Sequence, residues 1–366
     1  MSHRPDLGFF DEGRDLAHPS FYADAVLPSG DATTLPPAAF RSLAFTLLED
    51  EAIWTRDWVC IGAHDEIPRV GDLLPFTLGT HGIHVQRTAD GLAARFNKAQ
   101  HGGCRAVPLQ CQTGTKTRCS FTSCGHSRDR AAIPAGDLGD GTPEMHQYLG
   151  LRPERLLTAE VRSWGPLIFV NLDASPAPLD GAVAGLGASA GFFGNHKALR
   201  GGDRWLEFAA NWKLVGQHLV AGAVMAESEA ANWMLADTRL ADGSAATAAW
   251  LFPNLVLIVT EAETCVVILQ PTAIGQTLCR VAVYGDGAGS ADRWHGEVAG
   301  RAARAEADHV SVARRGPGFR PEDMARPLQL DPAGLWMQRT LADRVRMMPR
   351  EAIDTPLFHN PRASSP

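Results

Sequence analysis

The sequence predicts an α+β protein of two domains, a small antiparallel β domain followed by a mixed domain of helices and strands. Three observations point there. One early stretch repeats apolar residues at helical spacing, and the segments after it are short, β-branched and bounded by Gly and Pro. Beyond a Gly/Ala/Pro-rich stretch at residues 174–194, longer helical patterns mix with strands. A chain of 366 residues has room for two cores.

Each element has its own reason. Residues 1–36 are rich in Pro, Gly, Ser and Asp and lack a period, which predicts an irregular N-terminal arm that wraps a neighbour or stays disordered. Residues 37–58 read as an amphipathic helix packing on the C-terminal domain, with Phe40, Leu43, Leu47, Leu48, Ile53 and Trp54 as its stripe. Acidic Glu49, Asp50 and Glu51 lie between them. Residues 59–173 read as the β domain, with Ile83-His84-Val85 and Leu167-Ile168-Phe169-Val170 as strands. His81 and His84, three apart in a strand, face opposite sides and do not chelate one ion. Residues 174–366 form the α+β domain, with strands such as Leu255-Val256-Leu257-Ile258-Val259 and Cys265-Val266-Val267-Ile268-Leu269. There is no internal repeat.

Composition narrows the function. A net charge of -7 and a pI near 6.0 give no basic field for nucleic acid or anionic lipid. No apolar run approaches the roughly 20 residues that span a bilayer, and the opening Met-Ser-His-Arg-Pro-Asp has no signal-peptide core, so a cytoplasmic protein without a membrane partner is expected. Four of the seven cysteines, Cys104, Cys111, Cys119 and Cys124, fall in one stretch, which in a reducing compartment suggests a metal site sooner than a disulfide framework. The chain lacks a phosphate-binding Gly-x-x-x-x-Gly-Lys loop and a His-Glu-x-x-His pair.

A set of phrases in fixed order carries a family resemblance. Trp58-Val59-Cys60-Ile61-Gly62, Ile67-Pro68-Arg69-Val70-Gly71-Asp72, Gln86-Arg87-Thr88-Ala89-Asp90-Gly91 and Phe96-Asn97 come first. Gly165-Pro166-Leu167-Ile168-Phe169-Val170-Asn171-Leu172, Asn211-Trp212-Lys213-Leu214 and Phe252-Pro253-Asn254-Leu255 come after them. Together they resemble the large subunit of the Rieske-type non-haem iron oxygenases, the aromatic-ring-hydroxylating family. The resemblance implies a Rieske-like antiparallel β domain followed by a helix-grip-like α+β catalytic-type domain. It further implies a [2Fe–2S] cluster, a mononuclear iron, and assembly of subunits into trimers or hexamers.

The ligands that the resemblance requires are mostly replaced. A Rieske cluster needs two thiolates and two imidazoles; the corresponding positions here are Ala99, His101, Cys119 and Thr122, so half the donors are gone. His101, Cys104, Cys119 and Cys124, with His126 nearby, leave open a structural zinc site or an atypical iron–sulfur cluster, against buried or free thiols. The extra cysteine of respiratory Rieske proteins would pair with position 121, which is Phe121, so a disulfide of that type is not expected.

The mononuclear site fares no better. The family's two histidines follow Asn-Trp-Lys on one long helix, and their positions fall on Val224 and Glu229; the late carboxylate is Asp331. The acidic electron relay is replaced by Ala221, and the preceding Glu-Asn pair by Gln217-His218. On such a helix His218 lies nearly two turns before position 224 and reads as a hydrogen-bonded histidine, not a ligand. Asp331 before Pro332 also reads as a helix cap, and Gln338 fits the family's helix without implying chemistry.

Three functions are consistent with this pattern. The first is a non-catalytic subunit without cofactors that stabilises or regulates a catalytically intact Rieske oxygenase large subunit. The second is an oxidoreductase working through an atypical metal centre. The third is a stand-alone binder whose cavity is lined by a helix from Asn211 to Met234.

Overall fold

The computed structural model describes residues 9–79, 81–96, 132, 135, 157–187, 200–285, 290–313 and 330–348. The chain divides into two compact units, Met1–Arg56 with Asp180–Pro366, and Asp57–Leu179. The first two strands, β1 (Phe10–Asp11) and β2 (Arg14–Asp15), form a two-stranded antiparallel sheet.

The smaller unit is a six-stranded antiparallel sheet. Its strands are β3 (Val59–Ala63), β4 (Leu73–Leu78), β5 (His81–Thr88), β6 (Gly91–Phe96), β7 (Thr158–Trp164) and β8 (Leu167–Asn171), ordered β3-β8-β7-β6-β5-β4. Ile61, Leu74, Phe76, Ile83, Val85 and Phe169 are fully buried in it. Gly62 has φ +155°, and a Cβ there would stand 2.7 Å from Leu74 Cδ2 and from Glu66 Oε1. That same Glu66 oxygen accepts a hydrogen bond from the Ala63 amide at 2.9 Å, so the glycine of the Trp58-to-Gly62 phrase is needed for close packing. The segment between β6 and β7, with Ala99, His101, Cys104, Cys111, Cys119, Thr122, Cys124 and His126, lies outside the described residues.

The larger unit is built on a seven-stranded antiparallel sheet. Its strands are β9 (Arg200–Phe208), β10 (Ala223–Glu227), β11 (Trp233–Arg239), β12 (Ala245–Leu251), β13 (Leu255–Val259), β14 (Glu263–Ala273) and β15 (Gln276–Gly285), ordered β10-β11-β12-β13-β14-β15-β9. The helices, in chain order, are α1 (Ala38–Arg41), α2 (Leu43–Glu49), α3 (Leu179–Ala182, at the division between the units), α4 (Trp212–Leu219), α5 (Ser290–Ala313) and α6 (Pro332–Met347). Helix α4 packs against α5, α6 and strands β14 and β15. Asn211 caps it: its Oδ1 accepts from the Lys213 amide at 3.2 Å, and its Nδ2 donates to the Ile274 carbonyl at 2.8 Å. Among the described residues no helix is long and apolar enough to cross a membrane.

The N-terminal residues 9–36 carry the paired strands β1 and β2 and a 3₁₀ turn at Pro19–Phe21, and they are held by their own chain. Phe9, Leu16, Phe21, Tyr22 and Leu35 are buried. Gln338 on α6 donates to the carbonyls of Ala25 (2.5 Å) and Thr33 (2.9 Å), and Arg339 to that of Leu27.

The helical stretch after Pro37 departs from its expected polarity. It breaks at Ser42, whose hydroxyl caps α2, and ends in a π-helical turn at Asp50–Trp54. Glu49 and Asp50 are buried, not on a solvated face. The reason is Lys213, fully buried, whose Nζ lies 2.5 Å from Glu49 Oε1 and 5.3 Å from the ring centroids of Phe40, Phe45 and Trp212. Burial pushes the Glu49 carboxyl up and the Lys213 ammonium down, and the attraction between them opposes both shifts. Lys213→Met should lower stability by about 3–5 kcal/mol, because it strands a buried carboxyl. The double change Lys213→Met with Glu49→Leu should recover most of that loss, as read from chemical denaturation midpoints.

Candidate functional site

The residues expected to hold a mononuclear iron are split among three local settings. Helix α4 stops at Leu219, with Val220 at φ −101° and ψ 11° as its C-cap. The single helix expected from Asn211 to Met234 is therefore a two-turn helix followed by strand β10. Gly222 makes the change of course possible: a Cβ there would fall 2.2 Å from the Asp237 carbonyl oxygen, so only glycine lets the chain pass so close to β11. Ala221, the lost relay position, accepts a hydrogen bond at its carbonyl from Thr238 Oγ1 at 2.7 Å.

Val224 lies on β10, an edge strand, opposite Ala236 of β11. The residues from Ala223 to Glu227 alternate between exposed and half-buried, a period of two that belongs to a strand. Glu229 is exposed in the turn that joins β10 to β11. Ser228 builds that turn by accepting from the amides of Asn232 (2.7 Å) and Trp233 (3.2 Å), and Ala231 takes φ +50°.

Asp331 is the N-cap of α6. Its Oδ1 accepts from the Gly334 amide at 2.7 Å, and Pro332 occupies the first turn. The Gln217 side chain of α4 lies near enough to favour the charged carboxylate. Burial raises the Asp331 carboxyl above its usual range; the Gly334 bond, the nearby His218 and the Gln217 amide pull it back. His218 is engaged elsewhere too: its Nε2 lies 2.6 Å from Asp308 Oδ2 on α5.

The space around α4 and α6 holds aromatic rings. Trp54 meets Trp212 at 5.2 Å between centroids, Trp212 meets Trp250 at 6.4 Å, and Trp250 meets Trp336 of α6 at 5.5 Å. A Cβ on Gly216 would stand 2.4 Å from the Trp250 ring, and one on Gly334 would stand 2.6 Å from Gln217 Oε1. Sequence reasoning missed this indole cluster and its two glycines. The signal available was the pairing of Gly216 and Gly334 with nine tryptophans, an unusually large number of bulky rings to pack.

These residues do not fit a ferrous ion. Valine offers no donor, Glu229 stands on an exposed turn, and Asp331 caps a helix N-terminus. Among the described residues, no three His, Cys, Asp or Glu side chains are grouped so as to hold a metal. The described cysteines Cys60, Cys265 and Cys279 are buried and form no disulfide among the described residues. Burial pushes the thiols of Cys265 and Cys279 well above their ordinary range, which suits inert packing.

A cap and a ligand respond differently to substitution at Asp331. Asp331→Asn keeps an N-capping acceptor and should leave the thermal midpoint nearly unchanged, whereas Asp331→Ala should lose about 1 kcal/mol. Paired Val224→His and Glu229→His changes should not create stoichiometric ferrous binding in an anaerobic titration, because one residue is on an edge strand and the other on a turn.

No protein-family model matches the chain. It is 26% identical over 194 residues to a glycine betaine monooxygenase oxygenase subunit of Pseudomonas aeruginosa, covering 53% of this chain and 44% of that protein. It is 28% identical over 195 residues to the biphenyl 2,3-dioxygenase subunit alpha of Rhodococcus jostii, covering 50% and 40%. The chain thus spans less than half the length of the curated relatives it matches. Over most of its length it shares the fold of the quaternary ammonium Rieske monooxygenase CntA, with a TM-score of 0.60 at 16% identity, covering 89% of this chain and 98% of that one. Naphthalene 1,2-dioxygenase gives a TM-score of 0.61 at 12% identity over 88% and 94%. With the ordered phrases in the sequence, these likenesses support membership of the Rieske-type non-haem iron oxygenase family.

Proposed function

We propose that this chain is a non-catalytic subunit of a Rieske-type oxygenase complex, one that stabilises or regulates a catalytically intact large subunit. The observation that carries the reading is the fate of the three iron-ligand positions. Val224 is part of an edge strand, Glu229 is on an exposed turn and Asp331 caps a helix. The sequence adds the loss of donors at Ala99 and Thr122, and of the relay acid at Ala221. Such a chain contributes folded surface to an assembly. It does not bring the paired centres on which electron transfer and oxygen activation rely.

A second reading has its own support, since the named relatives are oxygenase subunits. In it, His101, Cys104, Cys119, Cys124 and His126 hold an atypical iron–sulfur cluster or a zinc ion, and the chain remains an oxidoreductase. The third, a stand-alone small-molecule binder, loses the long helix that was to line its cavity.

Co-expression with an intact large subunit from the same source separates the first two. The expected outcome is a mixed trimer or hexamer from which both chains elute together, while the chain purified alone is colourless and free of stoichiometric iron. An anaerobic preparation of the chain alone that is brown and shows a Rieske-type visible spectrum with iron in proportion to protein would refute the proposal and establish the second reading.

A further inference from the structure

His84 stands apart from every role described above. It lies in the middle of β5 with no accessible surface, opposite Pro75 of β4 and Arg95 of β6. Neither ring nitrogen has a hydrogen-bond partner among the described residues, and neither has room beside it for a solvent molecule. Buried polar groups are nearly always paired, and leaving one unpaired costs about 1–3 kcal/mol, more when it is charged.

The surrounding charges make protonation harder still. The strands β4 and β8 carry no titratable side chain, and β3 carries only the buried Cys60 thiol. On β7, Glu160 and Arg162 are exposed and pair with each other at 3.1 Å. On β5 itself His81 is half-buried against Phe96, and Arg87 donates to His64 Nδ1 at 2.9 Å and to the Ile67 carbonyl at 3.0 Å. Arg95 is the charged residue of β6 and stands directly across from His84. Among the described residues the ring therefore faces a cation and has no carboxylate to receive its proton.

We infer that His84 is an acid-sensitive lock in the smaller unit: the β4–β5–β6 meander stays closed while the imidazole is neutral, and acid opens it. Burial first, and then the Arg95 charge, push the imidazole down to about 3. Once the strands open, the ring returns to its ordinary value near 6.5. Linkage sets the sign. The open state takes up a proton that the closed state refuses, so stability is fully present above about pH 6.5 and is lost as pH falls from there towards 3. One proton gives at most about a tenfold change in the opening equilibrium per pH unit, or roughly 50-fold between pH 6.5 and 4.5, since the open ring is already half protonated at pH 6.5.

Hydrogen exchange of the full chain, followed at the amides of β4, β5 and β6 and corrected for intrinsic rates, tests this. In the wild type the opening equilibrium should rise about 50-fold between pH 6.5 and 4.5 beyond whatever His84→Leu and His84→Gln show, because His64 and the other titrating groups are common to all three. Equal pH slopes in wild type and variants would overturn the lock. The wild-type ring gives a check that needs no variant. By NMR of labelled histidine, His84 in the closed chain should stay neutral at pH 5, and a native His84 resonance titrating near 6.5 would overturn the inference.

Discussion

The larger unit depends on a buried ion pair. Lys213 and Glu49 are both withdrawn from water, and each is tolerable only because the other is there. The pair joins the helical segment before the β domain to α4, which lies more than a hundred residues further along the chain. Around it, three aromatic rings exclude solvent and face the ammonium group. The Asn211-Trp212-Lys213 phrase thus has a structural meaning that needs no iron: a cap, a core ring and a buried cation.

Steric fit governs the chain beyond α4. Glycines at 216 and 334 let Trp250 and Gln217 approach helix backbones that any side chain would hold off, and Gly222 lets the chain turn close over β11. The metal positions are thereby distributed over a strand, a turn and a helix cap. Each of these residues thus has a structural role in its own element.

Much of the fold was legible. Strand segments such as Ile83-His84-Val85 and Leu255-Val256-Leu257-Ile258-Val259 lie within β5 and β13, and the Asp-Pro start of α6 is where its cap stands. His218 also behaves as read, satisfied by a hydrogen bond to Asp308. The long helix after Asn211 was misjudged because it was carried over from the family, although Gly222 and the two-residue alternation after it were present in the sequence. The acidic run at Glu49-Asp50-Glu51 was misjudged because helical periodicity does not reveal a cation supplied from elsewhere.

By itself the sequence determined the class of fold, the order of the elements and the absence of donors at Ala99, Thr122 and Val224, since periodicity and side-chain chemistry are local properties. Only the tertiary structure decided that Glu49 is buried, that Asp331 is engaged as a cap beside Gln217, that indoles pack between α4 and α6, and that His84 lies opposite Arg95. Those outcomes depend on which distant side chains share a low-dielectric interior, and burial and charge pairing are set by contacts across the chain, not by spacing along it.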